Sequence, residues 1–202
     1  MIFSSLRLAV FSALAARAYF LLPGQMVKGS MRRRFVLALA GLAAVPLAGW
    51  ANASFESITT GFKRWGTGEF RRFGFLVYEA TLWAAGDDPL RPPLALKLTY
   101  KRNIAGKDIA EASVKEIRNL GMADSTQLKR WGELMGKIFP DVKPGDHIVG
   151  IHLAEGARFF YNDQPAGTVD DTAFAHAFFA IWLDSKTSAP ELRAALLKRP
   201  AS

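Results

Sequence analysis

From Phe70 to Ala85 apolar side chains fall on both parities of the chain: Phe73, Phe75, Val77 and Trp83 on one, Leu76, Tyr78, Ala80 and Leu82 on the other. A strand covered on both faces gives that pattern. A turn signal follows at Gly86-Asp87-Asp88-Pro89, with Pro92-Pro93 beyond it. From Leu94 to Arg102 the alternation is then regular: Leu94, Leu96, Leu98 and Tyr100 are separated by Ala95, Lys97, Thr99 and Lys101. That is a strand with one wet face, and the short link makes the two strands antiparallel neighbours.

The period then changes. Ile109, Ala112, Ile117 and Leu120 approximate one stripe of a helix over 108–120, and Leu128, Trp131, Leu134, Met135 and Ile138 form a cleaner one over 125–139. Gly121 separates the two and Pro140 ends the second; Asp124 with Gln127 has the spacing of a capping box. Pro144-Gly145-Asp146 turns the chain into a strand from His147 to Leu153, joined at Glu155-Gly156 to another from Arg158 to Tyr161. Asn162-Asp163 makes a further turn. A helix capped by Asp170 or Asp171 then buries Phe174, Ala177, Phe178, Ile181 and Trp182 and runs to about Asp184. Ser188-Ala189-Pro190-Glu191 has the form of a capping-box start for a last helix through Leu192, Leu196 and Leu197. Strand, strand, helix, helix, strand, strand, helix, helix predicts an α+β fold, an antiparallel sheet covered by a layer of helices.

Upstream of this pattern the chain reads differently. Met31 opens a basic stretch, Arg32-Arg33-Arg34, followed by an uncharged run of 13 residues from Phe35 to Leu47 and by Ala51-Asn52-Ala53. A basic start, an apolar centre and an A-x-A site make a secretory signal peptide over 31–53. The run is shorter than the ~18 residues of a membrane span, so cleavage near Ala53 is expected, with export to the periplasm or an equivalent compartment. Residues 1–30 read as an over-extended N-terminus, and 54–202 as one domain.

The leader alters the charge argument. The chain has 26 basic and 18 acidic residues, a formal +8, but six of the basic residues and none of the acidic ones precede Ser54. What remains is nearly balanced, so nucleic acid is not an expected partner. Membrane contact is expected only through the signal segment. Cysteine is absent from the sequence, which removes disulfides, thiolate metal sites and cysteine nucleophiles.

Candidate chemistry is sparse. The sequence contains no G-x-S-x-G elbow, Walker A loop, H-E-x-x-H or G-x-G-x-x-G. His147, His152 and His176 lack metal-ligand spacing, so no metal and no cofactor are expected. Arg71 and Glu79 share the odd parity of an otherwise aromatic strand face. Two readings stand side by side. In one, Arg71 presents its guanidinium to an apolar ligand with an anionic or carbonyl head, and Tyr78 or Tyr100 donates a second hydrogen bond. In the other, Arg71 is at the wet end of the strand and Glu79 pairs with a lysine such as Lys97.

Several strings, taken in order, resemble the chalcone isomerase-like family in its bacterial exported branch. They are Gly66-Thr67-Gly68-Glu69-Phe70-Arg71 running into Val77-Tyr78 and Leu82-Trp83, Leu98-Thr99-Tyr100 before Gly106-Lys107, Lys143-Pro144-Gly145-Asp146-His147-Ile148, Gly167-Thr168-Val169, and Phe179-Ala180-Ile181-Trp182-Leu183. The resemblance implies an open-faced β-sandwich with a cleft between sheet and helices for an apolar ligand. It also implies, for the plant enzymes, closure of a chalcone to a flavanone, with an arginine stabilising the enolate and tyrosine and lysine side chains positioning ligand and water. Arg71 matches that arginine. The plant pattern Gly-Lys-Gln-Tyr stands here as Gly106-Lys107-Asp108-Ile109, and the following lysine falls near Ala112. Other branches bind fatty acids without catalysis. The resemblance therefore implies a non-catalytic binder of a small apolar ligand, a fatty acid or related carboxylate, held by Arg71, Tyr78 and Tyr100. An intramolecular lyase of chalcone isomerase type and a cell-envelope scaffold without ligand are the alternatives.

Overall fold

The computed structural model describes residues 55–198. The expected signal peptide, its cleavage site and the over-extended N-terminus lie outside the described residues. Six strands pair in chain order as one antiparallel meander: β1 (Lys63–Arg72), β2 (Phe75–Ala84), β3 (Leu94–Tyr100), β4 (His147–Leu153), β5 (Gly156–Tyr161) and β6 (Gln164–Val169). A short helix, α1 (Phe55–Ile58), precedes the sheet; α2 (Gly106–Asn119) and α3 (Ser125–Ile138) join β3 to β4; α4 (Thr172–Leu183) and α5 (Pro190–Leu196) follow β6. This is the expected α+β architecture, an open-faced sandwich. No helix among the described residues is long and apolar enough to cross a membrane.

The sheet has two more strands than its hydrophobic pattern announces. What reads as one strand from Phe70 is a hairpin whose two-residue turn, Phe73-Gly74, has positive φ at both positions, 51° and 81°. Paired positive φ values suit the right-handed twist of the flanking strands, and Asn-Gly is the usual sequence there. Phe73 hides the turn from a sequence reading. β1 is masked a second time by its glycines. They are there because α5 lies directly on them: a Cβ at Gly66 would stand 2.2 Å from the Leu196 carbonyl oxygen, and one at Gly68 would stand 2.7 Å from Ala195 Cβ. β6 was hidden by Pro165 and Gly167, which are tolerated on an edge strand.

One face of the sheet carries the core. Leu82, Leu94, Leu96 and Tyr100 share one cluster with α4, which from Phe174 to Leu183 is buried at every position but His176 because it is sandwiched between the sheet and the other helices. Phe139, Phe159, Phe174 and Phe178 interlock there edge to face, tilted or, for Phe174 and Phe178, stacked, with centroids 5.1–6.2 Å apart. The opposite face is not wet throughout. Ala95, Val149, Ile151 and Phe160 form a second cluster with Phe55, Ile58 and Trp83, so the α1 segment covers that face in part.

Helix starts follow the sequence in two places and depart from it in one. Asp124 and Gln127 exchange hydrogen bonds as a capping box (2.8 and 3.1 Å). Asp171 rather than Asp170 caps α4, accepting from the Phe174 N–H at 3.0 Å; it also accepts from Trp131 Nε1 at 3.1 Å and pairs with Arg130. At α5 no Ser188 cap forms. Ala189 occupies the cap position, Pro190 begins the helix, and the Ala189 N–H is taken by Thr187 Oγ1 at 3.2 Å. Proline at the first helical position has no N–H to satisfy, so less capping is needed there.

Candidate functional site

The strand pairing brings Phe70, Tyr78 and Tyr100 into one row on the helix-facing side of the sheet, Phe70 opposite Tyr78 and Tyr78 opposite Tyr100. The Phe70 and Tyr78 rings stack at 5.0 Å, and Tyr78 meets Tyr100 edge to face at 6.0 Å. α2 and α4 do not close fully over this row. Between them lies a cavity of about 270 Å³, near the lower end of the roughly 300–1,000 Å³ typical of small-molecule clefts. Its wall is mainly apolar, with Val77, Leu98, Ile109, Ala112, Ile148, Phe178 and Ile181; Arg72, Asp108, Ser113, Glu116 and Ser188 supply polar groups.

Both tyrosines expected from the sequence line this cavity. Arg71 does not. Its guanidinium pairs with Glu69 at 2.8 Å and reaches the Gly74 carbonyl at 3.4 Å, in an outer recess that shares Phe70, Arg72 and Glu116 with the cavity. Glu79 pairs with Lys101, not Lys97, because Lys101 follows directly on the Tyr78–Tyr100 rung. The arginine on the cavity side is Arg72, which alternation places with Phe70. Strand parity alone carries that signal: Phe70, Arg72, Tyr78 and Tyr100 share a face, while Arg71 shares the other face with Glu69.

The two hydroxyls differ in their partners. Trp182 Nε1 donates to Tyr78 Oη at 2.9 Å, leaving the Tyr78 proton free to be donated in turn. Tyr100 is 2% exposed, yet its hydroxyl makes no hydrogen bond to another described residue. No fully enclosed side-chain oxygen lacks a partner among the described residues, so this hydroxyl opens into the cavity. Burial pushes both phenols well above their ordinary range. The Trp182 hydrogen bond opposes that rise at Tyr78 and the Glu116 charge adds to it, while Tyr78 adds to the rise at Tyr100. Both are therefore held neutral at physiological pH, as hydrogen-bond donors rather than bases.

The remaining titratable groups serve elsewhere. Asp146 accepts from Tyr161 Oη (2.8 Å), Asn162 Nδ2 (3.0 Å) and the Lys143 N–H (3.0 Å), which hold its carboxyl below the usual range and tie the β4 and β5 ends together. His147 lies 2.9 Å from Asp163, His152 stacks on Phe179, and His176 is exposed. Among the described residues no three His, Cys, Asp or Glu side chains converge as metal ligands would.

Comparison with known proteins accords with this geometry. The chain is 29% identical over 173 residues to an uncharacterized protein of Haemophilus influenzae, spanning 85% of this chain and 80% of that one. A crystal structure of an Arabidopsis thaliana fatty-acid binding protein superposes with a TM-score of 0.53 at 11% identity, covering 68% of this chain and 87% of that chain. At that identity the likeness speaks for the fold alone. The family model described as chalcone isomerase-like matches residues 66–198, the stretch that builds all six strands' shared core and the cavity, and the chain belongs to that family.

Proposed function

We propose that the domain binds a small, largely apolar molecule with an oxygen-bearing head, a fatty acid or related carboxylate, and does not transform it. The observation that carries this reading is the buried Tyr100 hydroxyl, open to an apolar cavity and without a protein partner among the described residues. A buried donor left unmatched costs about 1–3 kcal/mol, and a ligand oxygen would recover that. Arg72 offers a guanidinium for a carboxylate, and Glu116 disfavours a second anion on the α2 side. Where the family resemblance implied a catalytic tyrosine and lysine, Ile109 and Ala112 stand in the cavity wall. Neither can transfer a proton. Support also comes from the Arabidopsis neighbour, whose title calls it a fatty-acid binding protein. The basic and apolar run from Met31 to Ala53 further suggests that the ligand is met outside the cytoplasm, after cleavage of the leader.

Native mass spectrometry of the protein purified from its own cell envelope, followed by solvent extraction, tests the reading. A lipid-sized adduct is expected, reduced in Arg72→Gln and Tyr100→Phe and retained in Arg71→Ala, whose guanidinium is engaged by Glu69. A bare mass, together with failure to take up added fatty acid, would refute it.

A further inference from the structure

The β1–β2 hairpin projects past the rest of the sheet: β2 pairs with β3 only as far as Tyr78 opposite Tyr100, the Val77 carbonyl still accepts from the Lys101 N–H at 2.9 Å, and Phe75 and Leu76 have β1 as their strand neighbour. At its tip stand two aromatic rings that the fold does not use. Phe73 is 88% exposed and Phe75 61%. Phe73 occupies a left-handed backbone position, φ 51°, where a bulky side chain is disfavoured and asparagine or glycine is usual. Folding gains neither burial nor conformational ease from it.

Beside these rings lie two guanidinium groups. Arg72 stands 5.5 Å from the Phe73 ring centroid and Arg102 stands 4.8 Å from that of Phe75. Arg71 and Lys101 are paired with Glu69 and Glu79, whereas Arg72 and Arg102 make no ion pair among the described residues. Exposed aromatic rings flanked by unspent cations match a bilayer interface, where rings sit at headgroup depth and arginines meet anionic phosphates. The competing occupants fit less well. A second copy docked by two-fold symmetry would set these arginines against their own like charges. A two-residue projection also falls far short of the ~1,000 Å² that a stable protein interface buries; partitioning into a bilayer has no such threshold.

We propose that this hairpin tip docks on an anionic lipid surface, with Phe73 and Phe75 entering the interface and Arg102 engaging a headgroup phosphate. The proposal reaches beyond the expectation that membrane contact is confined to the leader, and it holds whether or not the cavity is filled. It sets the membrane beside Arg72, at one end of the cavity.

Because the sequence has no cysteine, a single engineered one can be labelled without background. Full-length Phe75→Cys and Glu155→Cys, each carrying an environment-sensitive fluorophore, are mixed with phosphatidylglycerol or phosphatidylcholine vesicles containing brominated lipid. Position 155 lies at the opposite end of the sheet, in the β4–β5 turn. A leader that tethers the chain would bring both labels to the vesicle, but only an inserting tip moves one into it. The expected result is a blue shift and quenching at position 75 on phosphatidylglycerol, weakened by salt, with none at 155. In the labelled background Arg102→Gln should require about fivefold more vesicle for equal quenching, the value of one cation near an anionic surface. Phe73→Asn, which suits the turn and should fold, should also weaken it. Equal responses at the two positions, equal responses on the two lipids, or a response only when envelope protein is added would each overturn the proposal.

Discussion

Replacing Gly66 by alanine adds one methyl group to an interior strand position, where alanine would ordinarily stabilise. Here the new Cβ would lie 2.2 Å from the Leu196 carbonyl oxygen and 2.4 Å from that of Ala195, both backbone atoms of α5. Neither can rotate away, so the helix must shift. If α5 moves outward and stays packed, the cost is that of overpacking, about 1–3 kcal/mol. If it detaches, Leu192 and Leu196, only 3% and 0% exposed, lose their cover, at roughly 1.5–3 kcal/mol each. The 3.1 Å bond from Trp65 Nε1 to the Leu197 carbonyl is then lost as well. The less costly route governs, which sets the expected destabilisation at about 1–3 kcal/mol. Urea unfolding measures it, and limited proteolysis distinguishes a detached α5 from a displaced one. Gly136→Ala is the matched control: Gly136 is exposed in α3 and a Cβ there meets nothing within 4 Å, so a gain of about 0.5–1 kcal/mol is expected. A Gly66→Ala variant within about 0.5 kcal/mol of wild type would refute the close approach of α5.

Three further outcomes follow from the same contacts. Burial, with the His176 charge added to it, lowers His152 to about 4 from 6.5, so its stabilising neutral form is fully present above pH 6.5 and that contribution is lost as pH falls from 6.5 to 4. The loss amounts to about 3 kcal/mol at most; His152→Phe, which preserves the stack on Phe179, should flatten stability over that window, and an unchanged slope would exclude His152 as its source. Phe73→Asn should raise Tm by about 2–4 °C, since relief of the left-handed strain, about 1–2 kcal/mol, exceeds the roughly 0.5 kcal/mol of an exposed cation–π contact; a lowered Tm would contradict the turn geometry. Chalcone cyclisation should proceed at the uncatalysed rate, because Ile109 and Ala112 cannot exchange protons; a rate above background that disappears in Tyr78→Phe would return the domain to the enzymes of its family.

The elements that periodicity disclosed are those whose packing is ordinary. β3, β4, α3 and α4 each bury one stripe or most of their surface, and their apolar spacing says so. β1 and β6 escaped because each owes its sequence to a neighbour rather than to its own conformation. Glycines at 66 and 68 weaken a strand in isolation, and only the presence of α5 across them explains their use. Gly167 is similar, with Ile138 of α3 standing 2.7 Å from where its Cβ would be. No pattern local to the strand contains that information. The tip is the reverse case: Phe73 reads as part of an apolar run, and its exposure becomes visible only once the turn is known.

The site shows the same division more sharply. Tyr78 and Tyr100 were legible because each lies on the core parity of its own strand, and antiparallel pairing of neighbouring strands sets such residues side by side. For the arginine the family match points to Arg71, whereas parity along β1 sets Arg72 in the cavity wall. A family string aligns residues along the chain, whereas a cavity selects them by face. Adjacent residues of a strand face opposite ways, so a displacement of one position exchanges a cavity group for a solvent ion pair. Arg71 and Arg72 are chemically identical, so the difference between them is wholly one of placement. Paired substitution of the two is therefore the direct measure of whether the face or the string identifies the binding group. Loss of the adduct in Arg72→Gln with retention in Arg71→Ala would assign it to the face, and the opposite result would mean that the hairpin rearranges when ligand enters.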